Sequence, residues 1–248
     1  VTPIVRNDDG RMIMQTIYNP KGKAAEYGEL ALNIYSGCSH GCKYCYVPSV
    51  LHCDRDDFHR NVEARPGIVE AVKERLTKGD INGKEIFLCF TCDPFPMEID
   101  HTPTFEIIRA IKESGNHVAI LTKGDPDKSL FDILDSNDRF GVTISCGGWQ
   151  ATYNEPNALS VPNRLLLLFN AKEAGIKTFV SCEPVLEPDF IYDLIETADY
   201  IDEFRIGKLN YFPSNINWKE FGIKCEKLCK KYGRNYMIKE GLRTEMNK

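Results

Sequence analysis

Cys38, Cys42 and Cys45 stand in the run Ser36-Gly37-Cys38-Ser39-His40-Gly41-Cys42-Lys43-Tyr44-Cys45-Tyr46, with three and then two residues between them. Three thiolates at this spacing can wrap one corner of a cube-shaped 4Fe-4S cluster, which normally takes four Cys ligands. The loop supplies three, so one iron is left open to bind something else. An open iron points to chemistry rather than to electron storage. The rival reading is a structural zinc site or a non-catalytic iron–sulfur module that binds a partner. Zinc sites usually pair two knuckles to reach four ligands, and no second Cys-x2-Cys or His pair follows at finger-like spacing.

The chain that must position these thiols alternates short apolar runs with longer amphipathic ones. Leu30–Tyr35, Glu85–Thr91, His117–Thr122, Phe140–Cys146, Lys177–Cys182 and Asp202–Ile206 read as buried strands, most of them β-branched or aromatic and ended by Gly, Pro or polar residues. Between them, Gly67–Lys78, Thr104–Ser114, Lys128–Ser136, Pro162–Ala174, Asp189–Ala198 and Lys219–Tyr232 read as helices. This order of βα units predicts an α/β fold, a partial (βα)6 TIM-type barrel open at one side. Residues 1–29 read as an N-terminal arm, with turns at Asn7-Asp8-Asp9-Gly10 and Pro20–Gly22, residues 30–240 as the barrel and residues 241–248 as a C-terminal tail. Barrels of this kind place reactive groups at the C-terminal ends of their strands. The Cys loop follows the first strand directly, so it belongs at that mouth. The other strand ends carry Thr91-Cys92-Asp93, Thr122-Lys123, Ser145-Cys146, Cys182-Glu183 and Gly207-Lys208.

Composition narrows the setting. A hydrophobic content of 42% over 248 residues supports a substantial core. No apolar run approaches a membrane span, and no basic-then-apolar signal segment opens the sequence, so no membrane partner is expected. The ten Cys do not follow a disulfide framework, which makes a reducing cytoplasm the natural location. A net charge of −5 gives no global basic footprint for a nucleic acid, although a local groove remains open.

The cysteine motif, with Tyr44 just before its last Cys, resembles the signature of the radical S-adenosylmethionine (SAM) enzymes. The resemblance implies that the open iron chelates the amino and carboxylate groups of SAM. An electron from the reduced cluster, supplied by a donor such as flavodoxin or ferredoxin, then cleaves SAM to methionine and a 5′-deoxyadenosyl radical that takes a hydrogen atom from the substrate. Such a cofactor carries the hard chemistry while the protein positions it. Cys42–Tyr46, the run Thr91-Cys92-Asp93-Pro94-Phe95 leading to Glu98-Ile99-Asp100-His101, and Thr122-Lys123 together resemble the spore photoproduct lyase branch, in order and approximate spacing from Tyr35 to about Asn210. That branch implies a nucleobase or nucleic acid substrate and a lyase-like reaction. It uses a Cys near the end of the second strand as hydrogen-atom donor and a Tyr directly after the cluster motif. Tyr46 matches that Tyr. Cys89 and Cys92 flank the donor position instead of occupying it, and the chain is shorter than a full lyase. A peptide or small metabolite is the alternative substrate class, in line with the acidic charge.

On this resemblance SAM is expected across the strand ends near Tyr44, Cys92, Lys123, Ser145 and Glu183. Lys123 is the candidate for the SAM carboxylate through a charge-assisted bond, against a solvated loop lysine. Ser145 is a second donor to SAM or a strand-end hydroxyl serving the backbone. Tyr44 packs on adenine or braces the loop, and Glu183 holds ribose hydroxyls or an internal ion pair. Cys92 is a candidate hydrogen-atom donor because an S–H bond is weak. A second cluster with Cys89, Cys146 and Cys182, or buried apolar thiols, are the other readings. Cys225 and Cys229 share a helix face and read as core. His40 reads as a solvated turn residue and His101 as an exposed loop residue. Trp149 and Tyr153 either stack on a ring or base or anchor the core. Lys43, Arg55 and Arg60 form a basic group that the interleaved Asp54, Asp56 and Asp57 largely cancel.

Overall fold

In the computed structural model, seven strands form one all-parallel sheet whose spatial order is their sequence order. The described residues are 4–6, 12–14 and 16–248, so the Asn7–Gly10 turn lies outside them. β1 (Ile4–Arg6) and β2 (Met12–Met14) make a separate antiparallel pair. The sheet runs through β3 (Leu30–Leu32), β4 (Glu85–Leu88), β5 (His117–Thr122), β6 (Arg139–Thr143), β7 (Lys177–Cys182), β8 (Glu203–Ile206) and β9 (Tyr236–Ile238). β3 and β9 are its edges, which leaves the barrel open between them.

β5 and β7 have the ranges expected from sequence. β3 ends earlier, at Leu32, because the Asn33 side chain turns to accept the backbone N–H groups of Phe90 (2.8 Å) and Thr91 (2.9 Å). That bond ties the first two strand ends together. β9 is the seventh strand, beyond the six expected. Its three residues, only one of them fully buried, are too short to show a period. The helix Glu240–Met246 follows it and packs through buried Leu242 and through Met246 against Gly222 of the helix Trp218–Lys231.

Two cores result from the alternation of side chains across the sheet. The large one lies between the sheet and the helices, with Ile86, Leu88, Val118, Ile120, Val142 and Val180 facing Ile107, Ile111, Leu168 and Ile191. The small one fills the concave face with Tyr27, Ala31, Phe87, Ala119 and Phe179. Tyr27 comes from the segment before β3, and its hydroxyl meets Ser181 Oγ at 2.7 Å. Gly141 makes room for the Phe179 ring, since a Cβ there would lie 2.5 Å from it. The N-terminal ends of the strands are closed by charge: Arg139 bridges Glu85 (2.6 Å) and Glu203 (3.3 Å), and the guanidiniums of Arg139 and Arg205 each stand 5.2 Å from the Phe179 ring. The opposite mouth therefore remains for a ligand. Among the described residues no helix is long and apolar enough to cross a membrane.

Candidate active site at the strand ends

The loop carrying Cys38, Cys42 and Cys45 follows β3 and is held by its backbone. Cys38 N–H donates to Phe58 O (3.2 Å), and His59 Nδ1 meets Cys38 O at 2.8 Å. Arg55 donates to both Cys42 O (3.2 Å) and Cys45 O (2.5 Å). Phe58, His59 and Arg55 belong to the helix Arg55–Arg60, N-capped by Asp54, which accepts Asp57 N–H at 2.8 Å. The aspartates that dilute the local charge thus also build the helix that clamps the loop. Gly37 is needed at its entry, because any Cβ would collide with Phe58 O.

Lys123, at the end of β5, reaches over this loop, its Nζ 5.5 Å from the Tyr44 ring centroid. Burial alone would lower its pKa, but Cys42, Glu155 and Asp93 around it hold it above the ordinary lysine value. Its ammonium has no hydrogen-bond or ion-pair partner among the described residues. Its backbone is fixed instead: Asp93 Oδ2 accepts Lys123 N–H at 2.9 Å while Oδ1 accepts Thr122 Oγ1 at 2.5 Å and Phe95 N–H at 2.9 Å. Asp93 therefore staples the β4 end to the β5 end. Tyr44 is fixed at its hydroxyl, which donates to Glu155 and meets Ser145 Oγ at 3.0 Å. Glu155 is paired with the buried Arg164, whose other donors reach Leu159 O (2.8 Å) and Thr143 O (2.6 Å).

Glu183 is at the same mouth on the β7 side, in an ion pair with the buried Lys239 and accepting Asn210 Nδ2 at 2.8 Å. Tyr46 lies between the two halves. Its hydroxyl donates to Phe90 O (3.3 Å), and its ring stacks on Tyr211 with centroids 5.6 Å apart. Cys92 Sγ accepts Tyr35 N–H at 3.4 Å.

A model of the radical SAM superfamily matches residues 32–201, more than half of the chain. The chain belongs to the radical SAM superfamily. Relatives at this level carry no assigned function. An uncharacterized protein of Methanocaldococcus jannaschii is 24% identical over 206 residues, covering 81% of this chain and 73% of its own length. An uncharacterized Mycobacterium tuberculosis protein is 24% identical over 183 residues, and there the chain spans about half of the relative, 52%. Among solved structures, a spore photoproduct lyase mutant matches with TM-score 0.65 at 13% identity, over 88% of this chain and 78% of that one. SuiB of Streptococcus suis matches with TM-score 0.59 at 15% identity, over 84% and 48%. These likenesses show the fold. Another lyase structure holds AdoMet and a dinucleoside spore photoproduct; it matches with TM-score 0.58 at 16% identity, over 85% of this chain and 63% of that one.

For a radical SAM enzyme, an iron–sulfur cluster and SAM are the implied cofactors. The donor set fits. Cys38, Cys42 and Cys45 are free thiols on one clamped loop, and the Lys123 charge favours the thiolate at each. Burial still pushes Cys38 well up and Cys42 to about 11, so binding iron must displace protons. Among the described residues no three His, Cys, Asp or Glu side chains converge as they would on a single metal ion. A four-iron cube needs wider spacing, because its ligands sit on separate corners.

Several sequence expectations change here. His40 is not a solvated turn residue: it is 1% exposed, its Nδ1 is 3.5 Å from Asp93 Oδ2, and burial lowers its pKa to about 4. Asn157, bonded to Ser39 O at 2.9 Å, and Gly41 fold the loop over it. Cys146 and Cys182 are fully buried, and Cys182 neighbours Cys225 and Cys229 of the helical layer. Trp149 and Tyr153 are not core anchors, being 75% and 59% exposed. His101 is half-buried, and its Nε2 meets Pro96 O at 2.9 Å. Cys225 and Cys229 are core residues, as expected. Glu155, Arg164, Asn33 and Lys239 are site residues that no motif or spacing in the sequence points to. A charged residue beside apolar ones in Val161-Pro162-Asn163-Arg164-Leu165-Leu166 was the available signal for Arg164, since a buried Arg needs a partner.

Proposed function

We propose that this radical SAM enzyme holds a 4Fe-4S cluster on Cys38, Cys42 and Cys45 and binds SAM across the strand ends, with a nucleobase in a nucleic acid as substrate. A bound, reduced cluster supplies the electron that opens SAM; the protein supplies the rest. The observation that carries the reading is Lys123, a charged ammonium beside the cysteine loop that makes no hydrogen bond or contact ion pair among the described residues. A free carboxylate on a ligand would complete it. Tyr44, stiffened by Glu155 and Ser145, forms the wall next to it. Glu183 borders the ribose side, held by Lys239 and Asn210. Cys92 returns a hydrogen atom and Tyr46, placed by Phe90 and Tyr211, assists.

The fold shared with spore photoproduct lyase supports a nucleobase substrate. So do Trp149 and Tyr153, whose rings are exposed beside the Cys loop with Lys43 Nζ over Tyr153. An aromatic surface with a cation suits base stacking. The net charge of −5 favours the second reading, a peptide or small metabolite. SAM titration tests the site directly. Lys123→Gln is expected to weaken SAM binding about ten- to hundred-fold, the loss of one charge-assisted bond, while iron content stays at the wild-type level. Unchanged affinity would remove Lys123 from the site.

A further inference from the structure

A second pair of thiols stands at the end of β4. Cys89 and Cys92 bracket Phe90 and Thr91 in the Cys-x-x-Cys spacing of dithiol redox sites. The Asn33 side chain holds this turn by accepting both intervening N–H groups. The Cys89 thiol lies against that of Cys92, and the two have different surroundings. Cys89 is buried, 7% exposed, and burial pushes its thiol well up. Cys92 is half-buried and its sulfur accepts Tyr35 N–H. Burial would raise Cys92 as well, but the Cys89 thiol and the N–H groups of Tyr35 and Ile34 outweigh it and bring the thiol below its ordinary value. Cys92 is the more exposed sulfur, placed to meet a disulfide, and the buried Cys89 stands behind it as the resolving thiol.

We infer that Cys89 and Cys92 form a thiol–disulfide exchange site that reacts with small-molecule disulfides of the glutathione class and closes an internal disulfide. The Cys92 thiolate attacks one sulfur of glutathione disulfide, whose S–S bond breaks and releases one glutathione thiolate. Cys89 gives its proton to water, and its thiolate attacks the Cys92 sulfur and displaces the second glutathione. Two protein thiols lose two electrons, one glutathione disulfide gains them, and the protons end on the released thiols. A dithiol reductant reverses the sequence. The consequence for catalysis rests on the proposed donor role of Cys92: in the disulfide form it has no S–H hydrogen to give, so the pair gates the reaction.

The test uses the full chain, cluster-loaded and anaerobic, equilibrated in glutathione buffers of graded ratio, acid-quenched, alkylated and digested with trypsin. Residues 85–109 form one peptide that carries both thiols. In the wild type this peptide should pass from doubly alkylated to internally crosslinked as the buffer becomes oxidising. Cys89→Ser should instead accumulate a glutathione adduct on Cys92, and Cys92→Ser should stay unmodified. A wild-type peptide that remains doubly alkylated in the most oxidising buffer would overturn the inference. So would an adduct on Cys92 as stable in the wild type as in Cys89→Ser. Should a variant fail to fold, the wild-type arm alone decides. The readout is a peptide mass, so it stands or falls separately from SAM cleavage.

Discussion

Glu155 shows how much of this site depends on residues buried behind its surface. It sits 111 residues from Tyr44, to which it is bonded, and it is almost completely buried with Arg164. Burial would raise its pKa, but Arg164 and Lys123 beside it hold the carboxyl below its ordinary value. Glu155→Ala should therefore cost about 3–5 kcal/mol, because it leaves Arg164 buried without its partner. The exposed pair Arg60–Asp56 should contribute about 0–1 kcal/mol. Urea unfolding at neutral pH separates the two. The sign with pH follows from the depressed pKa: the contribution is complete above the unfolded carboxyl value of about 4.3 and is lost as pH falls through the lower folded value. The wild type should lose stability over that acid window, and Glu155→Gln should lose less. At this scale the sequence was legible where spacing is local. The three Cys and Tyr44 share one short run, and Lys123 directly follows a clear apolar strand run. The Glu155 and Asn33 contacts were not legible, because they join positions that only the sheet brings together.

The elements that carry the mouth were largely legible for the same reason. Six of the seven parallel strands have apolar runs long enough to show, and β5 and β7 match residue for residue. What escaped is short: β9, and the helices Val47–Leu51, Arg55–Arg60 and Gly148–Asn154, none longer than seven residues. Such pieces bury too little to impose a pattern and are fixed by tertiary partners instead. Two of them matter most for the site, since Arg55–Arg60 clamps the Cys loop and Gly148–Asn154 accepts Lys43 N–H through Asn154 O at 2.9 Å. The concave core gives a prediction of its own. Phe179 has no room to move between Arg139, Arg205 and Gly141. Gly141→Ala should lower stability by about 1–3 kcal/mol through overpacking, read as a drop in Tm. A neutral effect would mean that the interior of the barrel is looser than its packing implies.

For the whole molecule, the sheet is sealed by ion pairs at one end and presents polar groups, a clamped thiol loop and exposed aromatics at the other. This polarity is what a parallel barrel offers a ligand. It also separates the two substrate classes. If a nucleic acid binds at the mouth, affinity should fall steeply between low and physiological salt, and Trp149 fluorescence should be quenched by stacked bases. Trp149→Ala with Tyr153→Ala should weaken that binding about five-fold or more, at about 1–3 kcal/mol per stacked base. Binding insensitive to salt would favour a small molecule. Before the substrate comes the chemistry itself. The most direct test is anaerobic reconstitution with iron and sulfide, followed by dithionite and SAM, with 5′-deoxyadenosine quantified in the wild type and in Cys42→Ala. Product is expected from the wild type and none from the variant. A wild type with a fully loaded cluster that binds SAM and yet forms no deoxyadenosine, even with oligonucleotides present, would contradict the proposed radical chemistry.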